Sequence, residues 1–374
     1  MNRESVFERK QAGTLVLAAF LTDSFIQPFG RQTEVLPART AILAGALQFA
    51  LLCAVMAVYL RWCGSEKPGP VRSLLLCGAL ALSIALEVIQ GERFYNYVMQ
   101  QQLAALLFLI LVFGAAYYGA FAGVQALGRA AWPVLALAAA SVLVLGWSVA
   151  GQMQFSHLQT PETSAGTLAK LALTRFYLPP ELLLLPFLCP KGASGKGAAK
   201  IIGAIFLANS LLALLGETTL GTAYTSESQP VYTIARLGGL SVFRRLDALH
   251  VGVWLLLFLI KISLYFAGFI KLWQSIKPCK GHCPYWVALA AVMVVFLAVW
   301  NQNESAAMAV QQVLLALVLL AAPLNRFLKG GGPHETLAGL FCAAGGCAFG
   351  RVYEQRTGRQ GFSESGVCGE GAAV

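Results

Sequence analysis

The sequence predicts an all-α integral membrane fold of about ten transmembrane helices, arranged as a five-plus-five inverted repeat with helices 1 and 6 broken. Three observations lead there. The 374 residues are 57% hydrophobic and only 12% charged, with a mean hydropathy of +0.67, and a soluble domain carries roughly twice that charged share. Apolar runs long enough to cross a bilayer recur from end to end. Two of those runs carry an acid beside proline: Asp23 with Pro28, and Glu181 with Pro179 and Pro180.

Taken in order, the spans are expected at about 13–30, 40–62, 71–91, 102–127, 131–150, 172–189, 199–222, 246–273, 283–301 and 307–328. Clusters of helix breakers separate them, such as GSEKPGP at 64–70 and PKGASGKG at 190–197. Residues 1–329 form the membrane domain. The 330–374 tail opens with Gly330, Gly331, Gly332 and Pro333, which stop a helix, and is expected to be cytoplasmic and largely disordered. Its apolar stretch at 336–350 is too short to span. No cleavable signal peptide is expected, because Asp23 interrupts the first apolar segment.

Lysine and arginine orient the chain. With the N-terminus inside, the inner segments and tail carry 18 basic residues and the outer segments 8, while Lys261 lies within a span. None of the nine cysteines falls in an outer loop, where oxidation would favour disulfides. Both readings put the two termini in the cytoplasm. The net charge of +10 therefore reports topology, and no nucleic-acid partner is expected.

Ten spans divide into two inverted halves, which makes the first and sixth the broken pair that holds substrate in many secondary transporters. Adjacent prolines remove backbone donors, so a helix cannot run unbroken through Pro179 and Pro180. Unwound backbone is tolerated at membrane depth only where protein or a polar cavity satisfies it. Asp23 lies about 15 Å from the inner end of its span and Glu181 about 14 Å from the outer end of its own, near the bilayer midplane. The expected ligand site is Glu181 with Pro180, Tyr177, Asp23 and Gln27, in a cavity bounded by spans one, three, six and eight.

Other polar residues read more plainly. Glu87 and Glu217 sit near the outer ends of spans three and seven, where interfacial carboxylates reach water. Lys261 either snorkels toward the cytoplasm or serves as counter-charge to an intramembrane acid. Arg245 and Asp247 are either a gating pair at the outer mouth of span eight or part of a solvated loop. Gly114, Gly119 and Gly123 suit a close-packing face. Cys279, His282 and Cys283 lack a fourth zinc ligand nearby, so no metal is expected there. No phosphate loop, nucleophile elbow or metalloprotease motif occurs, so the chain is expected not to be an enzyme and to need no cofactor.

Three stretches resemble the spore germination permease family: FYLPPELLLLPFL at 176–188, QPVYTIARLGGLSVFRRLDAL at 229–249 and VWLLLFLIKISLYFAGFIK at 253–271. YYGAFAGVQALGRAAWPV at 117–134 is similar to its fourth-to-fifth span connection. The family supplies the B-type subunit of germinant receptors and belongs to the amino acid/polyamine/organocation transporter superfamily. Asp23 departs from the first span usual in the family, and the tail is longer. The resemblance implies a membrane subunit that recognises a small nutrient, such as an amino acid, and triggers germination. Its implied partners are membrane lipid, an A-type membrane subunit and a C-type lipoprotein, in a bacterial cell membrane or spore inner membrane. An ion-coupled permease for an amino acid or similar solute is the competing reading, and a pore for ions or water is a third.

Overall fold

The computed structural model describes residues 3–29, 35–63, 69–99, 105–158, 164–188, 194–239, 246–277, 282–300 and 304–328. All regular structure among them is helical. The expected 330–374 tail and Arg245 lie outside the described residues.

The order is α1 (Arg3–Ser24), α2 (Ala38–Cys63), α3 (Pro70–Met99), α4 (Ala105–Ala122), α5 (Val124–Val149) and α6 (Ala165–Thr174). It continues with α7 (Pro180–Leu188), α8 (Gly195–Leu220), α9 (Pro230–Leu237), α10 (Leu246–Ile276), α11 (Cys283–Trp300) and α12 (Glu304–Leu328). Among the described residues seven helices are long and apolar enough to cross a membrane: α2, α3, α5, α8, α10, α11 and α12. The apolar part of α4, Leu107–Ala122, is shorter.

Burial sorts these helices into a centre and a rim. The apolar windows of α3 and α10 are 78% and 83% buried, against 22–28% for α2, α5, α11 and α12. The central pair therefore faces protein all round, while the rim helices keep large apolar side chains such as Leu143, Trp147, Val294 and Leu297 exposed.

Proline and glycine set the local boundaries. Pro70 and Pro180 occupy first helical positions, where a missing N–H costs nothing. Ser164 and Ser194 cap α6 and α8 by accepting from the N–H of Thr167 and Gly197. Span four and span five are joined more tightly than the sequence suggests. Only Gly123, at φ 91°, separates α4 from α5, a conformation that glycine adopts without a Cβ clash. Of the three glycines read as a packing face, Gly119 meets the Ser263 side chain, and Gly114 and Gly123 have no close neighbour. The short amphipathic helix α9 was not anticipated.

Contacts at the helix ends define two faces. At one, Gln154 N–H donates to Thr218 O (2.9 Å) and the Tyr97 hydroxyl donates to Glu227 (2.9 Å). There too Glu217 accepts from the N–H of Ala38 (2.6 Å), capping α2 from another helix. At the other face, Ser73 and Ser275 share a hydrogen bond (3.1 Å), and Lys271 donates to Phe187 O (2.7 Å) at the C-terminus of α7, where a helix dipole favours a cation.

Candidate functional site

The sixth span is interrupted between α6 and α7, and the helix of the first span ends at Ser24, before Pro28. After Ser24 the chain of the first span turns, with Gln27 N–H bonded to Asp23 O, and Phe29 adopts φ 60°. The Phe29 N–H is satisfied by Asn209 Oδ1 on α8 (3.0 Å). In the sixth span α6 and α7 are separated by residues 175–179. There Gln312 on α12 accepts from Leu178 N–H (2.9 Å) and donates to Leu178 O (3.4 Å). Side-chain amides thus replace the missing helical partners, as apolar surroundings require.

A cavity of about 460 Å³ lies against the end of α1 and the break between α6 and α7. Its wall comes from α1 and its following turn (Asp23, Gln27), α2 (Gln48), the break (Arg175, Tyr177), α8 (Asn209) and α12 (Gln312). Apolar groups complete it, including Phe20, Phe49, Leu52, Ile205, Phe206 and Met308. Phe206 packs against Phe29 and Phe49, with ring centroids 5.9 and 5.7 Å apart. The volume suits a small molecule, and a mostly apolar wall with few polar groups is what fixes a ligand's orientation.

Behind the cavity lies a buried charge cluster. The Lys261 ammonium on α10 is 2.6 Å from Asp23 Oδ1, 2.7 Å from Glu87 Oε1 and 3.3 Å from Glu181 Oε1. The Tyr265 hydroxyl, one turn along α10, donates to Glu181 Oε1. Lys261 is fully buried and the Glu87 and Glu181 side chains nearly so, whereas the Asp23 side chain is 19% exposed. Asp23 thus belongs to both the cavity wall and the cluster. Buried charges persist only where several partners offset the loss of water, and here four helices contribute: α1, α3, α7 and α10.

Asp23, Gln27 and Tyr177 line the cavity, while Glu181 and Pro180 are buried outside its wall. Glu181 is joined to Asp23 through Lys261, so it lies one layer deeper than expected. The cavity is bounded by spans one, two, six, seven and ten, because Glu87 and Lys261 close off the side toward α3 and α10. Lys261 is the counter-charge, and snorkelling is excluded by its full burial. Glu87 and Glu217 are corrections: both are buried, one on Lys261 and the other on the first residue of α2. Asp247 is likewise buried in the first turn of α10, so it is not part of a solvated loop.

Among the described residues no group of three His, Cys, Asp or Glu side chains is arranged to hold a metal ion. Cys279 lies outside them, and His282 stacks on Phe121 with centroids 5.8 Å apart. Sequence reasoning missed Arg175, Asn209, Gln312 and Tyr265. Asn209 and the Gln311–Gln312 pair had a usable signal, being amides in otherwise apolar stretches of helix. Tyr265 lies one turn from Lys261, a spacing that puts both on one helix face.

No curated protein matches the chain. The sequence profile of a family described as spore germination protein, the spore permeases, matches residues 81–305. That stretch holds Glu87, Glu181, Lys261 and Tyr265 of the cluster and leaves Asp23 outside. Its members are permease- or receptor-type membrane proteins and not a family of enzymes. With more than half of its length matched and seven helices of spanning length, the chain is a multi-pass membrane protein of spore germination and belongs to the spore germination permease family.

Proposed function

We propose that the chain is the nutrient-recognising, B-type subunit of a germinant receptor, and that it binds a small zwitterion such as an amino acid in the 460 Å³ cavity. One observation carries this reading: Asp23 and Arg175 stand on the wall of a largely apolar cavity, at the end of α1 and at the break between α6 and α7. Asp23 suits an ammonium group and Arg175 a carboxylate. Gln27 and Tyr177 supply further hydrogen bonds. Glu181, Pro180 and Lys261 act from behind by holding Asp23 in place.

In this reading ten spans form two inverted halves, with α6 and α7 counted as one broken span. Both termini are cytoplasmic, in a cell membrane or spore inner membrane. The subunit works with an A-type membrane subunit and a C-type lipoprotein. The basic-residue asymmetry, the alternation of helix ends and the break between α6 and α7 support it. The test is a binding screen of amino acids and nucleosides on the purified chain. Amino acid binding that weakens ten- to a hundred-fold in Asp23→Asn is expected, the loss of one charge-assisted contact. Binding unchanged in that variant would remove the assignment. Uptake of the bound solute by reconstituted vesicles would assign the permease reading instead.

A further inference from the structure

Glu181 is a buried acid with few compensating partners among the described residues. Its side chain is 1% exposed. Among the described residues its one ion-pair partner is Lys261, at 3.3 Å, and Lys261 lies closer to both Asp23 and Glu87. The Tyr265 hydroxyl serves Glu181 Oε1, but Glu181 Oε2 is buried with no hydrogen-bond partner. A carboxylate oxygen removed from water lacks the donor that water would supply, and a proton bound to it fills that place. Glu181 stands in the first turn of the nine-residue α7, whose dipole favours an anion. That short-helix effect is smaller than the cost of burying an ion away from water.

The groups that face Glu181 from the packed helices are Asp23 of α1, Glu87 of α3, and Lys261 and Tyr265 of α10. From α2, the Tyr59 hydroxyl is engaged with Leu183 O (3.1 Å). A metal cation is disfavoured as the missing partner, since the Lys261 ammonium already occupies the point where the three carboxylates converge.

We propose that Glu181 carries an exchangeable proton, which makes the Asp23–Glu87–Glu181–Lys261 group a proton-binding site that opens on the cavity through Asp23. A hydronium ion in cavity water gives up one proton, the Glu181 carboxylate becomes a carboxyl, and a water molecule is left behind. This inference stands whether or not the cavity takes an amino acid.

The test is infrared spectroscopy of the full chain in lipid nanodiscs, with protons as the only added probe. The expected result is a carbonyl band of a protonated carboxyl that moves on uniform ¹³C-glutamate labelling, stays put on ¹³C-aspartate labelling and is lost in Glu181→Gln. In Tyr265→Phe, a second and milder variant, the band shifts because its hydrogen-bond donor has gone. The proposal is overturned by absence of the band at every pH at which the protein stays folded, by movement on aspartate labelling, or by survival in a folded Glu181→Gln. An unshifted band in Tyr265→Phe overturns it too. Loss of the band when choline is replaced by sodium at fixed pH and ionic strength would assign the site to a metal cation instead.

Discussion

Lys261 shows how one side chain can make three others tolerable. Removing it leaves Asp23, Glu87 and Glu181 without their shared cation inside the protein. Breaking a buried ion pair by deleting one partner costs about 3–5 kcal/mol. Lys261→Met should therefore lower the thermal unfolding temperature of the purified protein sharply, and an unchanged unfolding curve would show that the cluster does not hold the fold. Lys261 on its own was ambiguous in the sequence, because residue depth says how far water is but not which neighbours are near. Glu87 was misplaced for a related reason. The apolar run suggests a span ending near 91, yet α3 continues to Met99, which moves Glu87 from an end to the interior. The polar stretch after Gln90 stays helical, so hydropathy ended before the helix did.

Breaks and their supports belong to the scale of elements. The interruption of the sixth span was legible, since paired prolines forbid a continuous helix wherever they fall. The supporting partners were not, because Asn209 and Gln312 come from helices 180 and 134 residues away in sequence. Gln312→Ala removes two hydrogen bonds to Leu178, worth about 1–3 kcal/mol together. Faster amide exchange confined to 176–179 is the expected result, and uniform exchange across the protein would count against this role. Gly45 gives a second test on α2. A Cβ there would lie 2.3 Å from the Phe29 ring, whose flexible end would have to swing aside at the cavity wall. Gly45→Ala should weaken ligand binding while leaving the unfolding temperature close to that of the parent. Equal affinity in parent and variant would place the ligand elsewhere.

The described helix ends discussed above fall on two faces, and labelling can determine which is outside. Ser156 and Ser226 are exposed near the end of α8, where the connection after α5 meets Thr218. Exposed Cys283 begins α11, near the Phe121 end of α4. An impermeant thiol reagent applied outside should label cysteines introduced at Ser156 and Ser226 and spare Cys283. Reaction of Cys283 from that side would invert the orientation. The membrane class and the family were legible at this scale because composition and segment length survive any error of a few residues at a boundary. The cavity was not, because its wall is assembled from five spans that no local pattern connects.

The double bond between Gln312 and Leu178 has a mechanical meaning as well. One amide reads both edges of a single residue, much as a neighbouring strand would, so the interrupted segment is paired like a ladder of one rung. Such a rung tolerates little slip, since a shift of α12 by one residue, about 1.5 Å along its axis, would separate both atom pairs. The break and the adjoining part of α12 therefore travel as one body. Any widening of the cavity therefore keeps Gln312 and Leu178 together.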